Sequence, residues 1–196
     1  MKQFTSSSVP FYCSLGVGTY LEKWGIQKSR ITEMDWTNKI KVNDDLEFTA
    51  LPARHFSGRS LFNRFETLWS SFAIKTTNHN VFYGADSGWF DGFKEIGEVF
   101  GPFDVTMLEI GAYNENWADI HMGPENAVRA HLALRGKLMM PIHWGTFNLA
   151  LHAWKEPIER LLHAANEKHI ELFLPAPGEP CEVTGKGYYT KWWEKT

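Results

Sequence analysis

The chain has 196 residues, of which 43% are hydrophobic and 22% are charged, and its formal net charge is -3. This length and composition predict one soluble domain over residues 1–196, and no apolar run is long enough to form a transmembrane segment. Because charges of both signs are interspersed and no basic patch stands out, we expect no nucleic-acid partner.

The first half of the chain predicts mostly β-structure, in apolar runs that are bounded by turn residues. The predicted strands cover residues 9–14, 46–53, 68–75 and 80–83. The polar turn Thr76-Thr77-Asn78-His79 joins the last two of these strands, so we expect them to form a β-hairpin. A helix is predicted over residues 15–25.

The second half of the chain predicts helices that alternate with strands. The predicted helices cover residues 89–100, 123–135 and 149–168, and the predicted strands cover residues 103–110, 137–142 and 170–174. This alternation is typical of α/β or mixed α+β domains.

The cysteines and the N-terminal residues indicate where the protein is found. Cys13 and Cys181 are far apart and form no CxxC motif, which favours reduced thiols over a disulfide framework. The first residues include no apolar run of signal-peptide length. We therefore expect a cytoplasmic location.

Three predicted strands end close to a side chain that can bind a metal ion. His55, Asp86 and His143 each follow such a strand and lie next to small or turn residues. A lone histidine in this position is more often a hydrogen-bonded structural residue, but three similar positions favour a shared site. Zinc binds imidazole nitrogen and carboxylate oxygen, and catalytic zinc sites keep one position open for water. We predict that these residues bind zinc and activate water for hydrolysis.

Several segments resemble, in order and spacing, the C-terminal part of metallo-β-lactamase-fold hydrolases of the N-acylphosphatidylethanolamine-hydrolysing phospholipase D type. These segments are residues 53–59, 84–89, 109–113, 121–128 and 141–147, the last of which reads Pro-Ile-His-Trp-Gly-Thr-Phe. The resemblance covers residues 9–180. It implies an α/β fold of the αββα sandwich type and a phospholipase D-like phosphodiesterase activity on a small-molecule or lipid substrate.

The resemblance also implies roles for individual residues. In that family, the position of His55 binds the first zinc ion, that of Asp86 bridges both ions, and that of His143 binds the second. Asp86 and His121 are the implied catalytic residues, and His121 also contacts substrate. Further candidate substrate-binding residues are Arg59, Tyr113 and Trp144.

One part of the family pattern is absent from this chain. The family has an upstream His-x-His-x-Asp-His motif that gives two ligands to each metal, whereas His55 is the first histidine here. We expect the chain to match a family member that lacks the first strands of the domain and the first metal motif. The intact family binds two zinc ions, and we expect one or none here.

Two alternatives remain open beside a phosphodiesterase, while the acidic balance argues against a third, a nuclease of the same superfamily. The first is a hydrolase of another ester, such as a sugar-phosphate lactone. The second is an inactive fragment or interaction module of the same fold, which would expose an apolar sheet face and associate, so a homo-oligomer is one expectation. The aromatic pair Trp192-Trp193 is predicted to be a packing anchor or a peripheral membrane contact.

Other polar residues have simpler interpretations. Without the resemblance, His121 would be an ordinary loop histidine near a helix start. His131 lies on the apolar side of its predicted helix and is expected to be a hydrogen-bonded core residue. Glu109 lies within an apolar strand, where an unpaired carboxylate is costly to bury, so we predict that it supports a metal-binding histidine through a hydrogen bond.

Overall fold

The computed structural model describes residues 2–58, 62–184 and 186–195. Its strands are β1 (Phe11–Ser14), β2 (Ile31–Met34), β3 (Lys39–Lys41), β4 (Glu47–Leu51), β5 (Ser71–Lys75), β6 (Asn80–Tyr83), β7 (Phe103–Glu109), β8 (Gly136–Ile142), β9 (Glu171–Leu174) and β10 (Tyr188–Tyr189). Its α-helices are α1 (Lys2–Thr5), α2 (Val17–Lys23), α3 (Gly92–Val99), α4 (Gly123–Ala133) and α5 (Glu156–Glu167). Short 3-10 helices lie at Lys28–Arg30, Glu115–Trp117 and Trp192–Glu194.

The strands form one large sheet, in the order β10-β9-β8-β7-β6-β5-β4-β3, and a separate parallel pair, β1-β2. Strands β3 to β6 are antiparallel neighbours and include the predicted hairpin of β5 and β6. Strands β6 to β10 are parallel, and α3, α4 and α5 connect β6, β7, β8 and β9 in turn. As a result, β4, β6, β7 and β8 all have their carboxyl ends at the same edge of the sheet.

One face of the large sheet carries the main core. Phe82 and Leu108 of the sheet are fully buried, and Phe93, Ala127 and Leu161 bring α3, α4 and α5 onto the same cluster. Burying a large apolar side chain contributes about 1.5–3 kcal/mol relative to leaving it exposed. This helix layer therefore fixes the strands whose ends carry the predicted ligands.

The other face of the sheet is also apolar but is less completely covered. Val81, Val105 and Leu138 are neighbours across β6, β7 and β8, and the next row contains Met107 and Met140. Val105 and Leu138 are buried, whereas Val81 and both methionines are only partly buried. This is an apolar sheet face of the kind that the interaction-module alternative predicts.

The predicted helix over residues 149–168 is wrong in its first part, because α5 begins only at Glu156. Pro157 lies in the first turn, where its fixed φ and missing N–H are tolerated. The preceding residues form a loop, in which His152 stacks on Tyr113 and Trp154 packs against Trp192. These long-range ring contacts outweigh the helix propensity of the segment.

The C-terminal aromatic pair is a packing element. Trp193 is 1% exposed, and the rings of Trp192 and Trp193 both pack against Trp144. Cys13 and Cys181 are both free. Within the described ranges, no helix combines the length and the apolar character that crossing a membrane requires.

Candidate metal centre

The carboxyl edge of the large sheet brings together the predicted ligands. His55 follows β4, Asp86 follows β6 and His143 follows β8, while Glu109 is the last residue of β7. His121 lies just before α4, and its ring centroid is 5.3 Å from that of His55 and 5.2 Å from that of His143. The fold thus places all five side chains in one cluster.

The turns at this edge hold unusual backbone conformations. His143 has a φ of 60° and Ala85, which precedes Asp86, has a φ of 51°. Residues with side chains rarely adopt this left-handed region, and such residues are often found at functional sites. The turns direct the side chains that follow the strands towards the cluster.

His55 is anchored through one ring nitrogen. Its Nδ1 lies 2.8 Å from the carbonyl oxygen of Phe56, and because a carbonyl oxygen only accepts, Nδ1 carries the proton. The other nitrogen, Nε2, therefore presents a lone pair. This atom is buried and has no hydrogen-bond partner.

Glu109 is fully buried and anchors His121. One carboxylate oxygen lies 2.7 Å from His121 Nδ1, and the other accepts a hydrogen bond from the backbone N–H of Met122 at 2.7 Å. Burial raises the pKa of Glu109 to about 7, although the hydrogen bond and charge of His121 oppose the rise. Burial lowers the pKa of His121, but Glu109 and the charge of Asp86 outweigh it and leave this pKa raised. The buried carboxylate therefore stabilises the protonated form of His121.

His143 lies between two carboxylates without a short contact to either. Its Nε2 is 3.5 Å from Asp86 Oδ2, and its Nδ1 is 3.6 Å from Glu109 Oε2. The Nδ1 atom is buried and has no hydrogen-bond partner. Burial lowers the pKa of His143, and the neighbouring histidines act in the same direction, while Asp86 opposes them.

The donor set fits a metal ion. His55, Asp86 and His121 each offer a ligand atom within 4.8 Å of those of the other two, and Glu109, His121 and His143 form a second such group. Imidazole nitrogen and carboxylate oxygen are ligands that zinc prefers. The buried lone pair of His55 Nε2 would cost about 1–3 kcal/mol if nothing bound it, and a cation at this position removes that cost.

The predicted substrate-binding residues are placed differently from one another. Tyr113 lines a cavity of about 460 Å³ next to His121, and its hydroxyl donates a hydrogen bond to Glu156 at 2.7 Å. The ring of Trp144 instead packs against that of Trp192, with the centroids 5.1 Å apart, so the structure does not bring it to the histidine cluster. Arg59 lies outside the described residues.

Two further features of the site were not among the predicted site residues. A cavity of about 570 Å³ reaches from His55 and Asp86 to the rings of Trp24 and Trp69. Arg64 stacks over Phe56 at 4.9 Å and lines the opening above His121 and His143. In the sequence, Arg54, Arg59 and Arg64 cluster near His55, which favours phosphate recognition over a surface role for this group.

Comparison with known proteins identifies the family. A profile described as the beta-lactamase superfamily domain matches residues 1–144. The chain belongs to this family. The structure of a metallo hydrolase from Ignicoccus hospitalis superposes with a TM-score of 0.71 at 21% identity, covering 91% of this chain and 70% of that one. The predicted fold class and the predicted family of metal-dependent hydrolases are confirmed.

Two of the curated relatives are longer than this chain. An uncharacterised protein of Mycobacterium tuberculosis is 48% identical over 187 residues, which are 94% of this chain and 50% of that protein. An N-acyl-phosphatidylethanolamine-hydrolyzing phospholipase D of Caenorhabditis elegans is 31% identical over 163 residues, which are 78% of this chain and 46% of that protein. The chain therefore spans about half the length of these curated relatives.

Proposed function

We propose that the cluster of His55, Asp86, His121 and His143 holds zinc and that the chain hydrolyses phosphodiesters. The observation that supports this most strongly is the convergence of these ligand atoms at one sheet edge in a chain of this superfamily. The similarity to a phospholipase D relative favours a phosphodiester over other esters. A zinc ion held there supplies a Lewis acid for the phosphoryl oxygen and lowers the pKa of water.

The side chains around the cluster suit this reaction. Asp86 is partly exposed and lies 3.5 Å from His143, so its carboxylate can accept a hydrogen bond from a water molecule beside the histidines. Arg64 lines the opening above His121 and His143, where a guanidinium can bind phosphate oxygens. The cavity beside His121 and Tyr113 has room for the rest of a small substrate.

Hydrolysis of bis(4-nitrophenyl) phosphate in the presence of zinc tests this activity. We expect Asp86→Asn to lower kcat by at least about 100-fold, while the control Asp91→Asn, on the exposed start of α3, leaves it unchanged. Equal rates for the wild type and Asp86→Asn would contradict the proposal. Turnover of a sugar-phosphate lactone without turnover of the phosphodiester would favour the other ester hydrolase.

The opening of the site favours a lipid phosphodiester and contact with a membrane surface. Phe147, Leu149 and Leu151 are 74%, 63% and 84% exposed, and Leu149 lines the opening with His121. Although the chain has a net charge of -3, the described residues 52–58, 62–65 and 141–155 around the site include no Asp or Glu. Exposed apolar loops without acidic residues suit an anionic lipid surface.

Vesicle sedimentation tests the membrane contact. We expect the wild type to sediment with vesicles of phosphatidylcholine and phosphatidylglycerol, and the triple variant Phe147→Ser/Leu149→Ser/Leu151→Ser to stay in solution. Val99→Ser is the matched control, because Val99 is 72% exposed on α3, outside these loops. Wild-type protein that stays in solution would contradict membrane contact and leave a small-molecule phosphodiester as the substrate.

The interaction-module alternative is favoured by the partly covered sheet face around Val81, Met107 and Met140. Such a module would form a homo-oligomer through this face and would not turn over substrate. Light scattering on the protein as it leaves a size-exclusion column measures its molar mass. Met107→Glu is the variant that would restore a monomer.

The cytoplasmic location also remains a proposal, which the free Cys13 and Cys181 support.

A further inference from the structure

The loop between β7 and α4 carries His121 and is closed by its own hydrogen bonds. The indole Nε1 of Trp117 donates to the carbonyl oxygen of Ala112 at 2.7 Å, and the backbone N–H of His121 donates to the carbonyl oxygen of Trp117 at 3.3 Å. At the end of the loop, the backbone N–H of Met122 donates to the buried carboxylate of Glu109 at 2.7 Å. Because these contacts join the start of the loop to its end, a residue that fixes the start also fixes His121.

The ring of Tyr113 packs at the start of this loop. It stacks on the ring of His152, with the centroids 4.4 Å apart and 18° between the planes, and the guanidinium of Arg160 lies 4.8 Å from its centroid. It also lies against Gly123, the first residue of α4, where an added Cβ would come within 3.1 Å of it. Since Gly123 follows His121 by two residues, Tyr113 packs against the backbone next to His121.

The hydroxyl of Tyr113 is bound to the protein. It donates a hydrogen bond to Glu156 Oε1, in the first turn of α5, at 2.7 Å. Arg160 donates to the same oxygen at 3.3 Å, and two other nitrogens of its guanidinium donate to both carboxylate oxygens of Glu125 in α4, each at 2.8 Å. Such a bidentate pair fixes geometry as well as charge. These contacts tie Tyr113 to both helices beside the site.

The protonation states of Tyr113 and Glu156 fit this hydrogen bond. Burial and the hydrogen bond to Glu156 raise the pKa of Tyr113 to about 12, so the hydroxyl keeps its proton at neutral pH. The same hydrogen bond lowers the pKa of Glu156, which is therefore a carboxylate. A tyrosine hydroxyl has only one proton to donate, and phosphate oxygens are acceptors. Tyr113 would have to lose its bond to Glu156 before it could donate to a phosphodiester.

We propose that Tyr113 is a positioning residue, which holds the loop of His121 in place and does not bind substrate through its hydroxyl. This role differs from the substrate contact that the sequence predicts for Tyr113. Its ring still forms part of the wall of the cavity of about 460 Å³ beside His121. Glu156 and Arg160 act through Tyr113 and are positioning residues as well. The inference rests on the proposed function only where turnover is measured.

Hydrogen exchange followed by NMR tests the positioning role without any need for turnover. Tyr113→Phe keeps the ring and removes the hydroxyl. We expect the backbone N–H of Met122 to exchange at least about 5-fold faster in this variant, because a hydrogen bond that holds the loop is lost. The N–H groups of β5, two strands away from β7, should change by less than about 2-fold. Tyr188→Phe, which removes a hydroxyl that donates to Glu179, is the matched control and should leave both rates unchanged.

Turnover of bis(4-nitrophenyl) phosphate with zinc separates positioning from substrate contact. A loop that is less well fixed misplaces His121, so Tyr113→Phe should lower kcat by about 10-fold and change KM by less than about 2-fold. Glu156→Ala should have the same effect. The double variant should be no slower than either single variant, because both substitutions remove the same contact.

The possible outcomes distinguish this proposal from its alternatives. Unchanged exchange at Met122 in Tyr113→Phe would overturn it, and so would equally faster exchange in β5, which would indicate a general loss of stability. A raised KM with an unchanged kcat, or additive losses in the double variant, would show that the hydroxyl contacts substrate. Faster exchange at Met122 without turnover by the wild type would support the positioning role and overturn only the proposed function.

Discussion

Two histidines lie against the same strand, β7, and are used in different ways. His131 of α4 is hydrogen-bonded at 2.7 Å to Thr106 in the middle of the strand, and it is 2% exposed. His121 is held at 2.7 Å by Glu109 at the end of the strand, next to the other ligands. Burial lowers the pKa of His131 to about 4, whereas Glu109 and Asp86 leave that of His121 raised.

The difference comes from the partner and from the position along the strand. A neutral hydroxyl in the core satisfies His131 without stabilising its charge, so this ring is a packing residue. A carboxylate at the carboxyl edge orients His121 and stabilises its protonated form. A histidine that contacts β7 is thus structural in the middle of the sheet and available for chemistry at the edge of the sheet.

The largest expected effect is on stability in the middle of the strand. His131→Ala would leave a cavity and a buried Thr106 hydroxyl without its partner, at a cost of about 3–4 kcal/mol in the free energy of unfolding. Urea denaturation of the metal-free protein measures this. The neighbouring Leu132 is 49% exposed, so Leu132→Ala is the control and should cost less than about 0.5 kcal/mol. Similar losses in both variants would show that His131 is not a core residue.

The pH dependence of stability sharpens the same contrast. The pKa of folded His131 is about 4, below the ordinary value of 6.5, so folding favours its neutral form. The resulting stability is fully present above pH 6.5 and is lost as the pH falls towards 4. We expect the wild type to lose about 3 kcal/mol more than His131→Asn over this range. If the free energy of unfolding of the two proteins changed with pH in parallel, the pKa of His131 would not be lowered by folding.

A smaller effect is expected at the end of the strand. Glu109→Gln keeps the size of the side chain but removes the charge, so the pKa of His121 should fall in the metal-free protein. NMR titration of the histidine ring signals measures this change. The same variant should weaken metal binding by about 10–100-fold, because a neutral amide is a poorer partner for a ligating imidazole. An unchanged pKa of His121 would contradict the claim that the Glu109 carboxylate stabilises the protonated imidazole.

The sequence predicts the strand ends well, because apolar runs that stop at a polar residue are a local signal. The hairpin of β5 and β6 and the positions of His55, Asp86 and His143 after strands follow from that signal. His131 as a core residue follows from its position on the apolar side of α4. These features depend on neighbours that are close in the sequence.

Features that depend on distant residues were not predictable in the same way. The start of α5 depends on ring contacts of His152 with Tyr113 and of Trp154 with Trp192. Helix propensity is a local property and does not predict such contacts. Trp144 was expected near substrate, but its ring packs on the C-terminal aromatic pair. From the sequence without the family resemblance, His121 was an ordinary loop histidine. Its contact with Glu109 depends on how the loop returns to β7.

The central claim is that the carboxyl edge of the sheet holds a metal ion, and elemental analysis tests it most directly. The purified 196-residue chain would be compared with the double variant His55→Ala/Asp86→Ala after both are loaded with zinc and desalted. We expect stoichiometric zinc in the wild type and none in the variant. Equal zinc content in the two proteins, or no zinc in the wild type, would contradict the account.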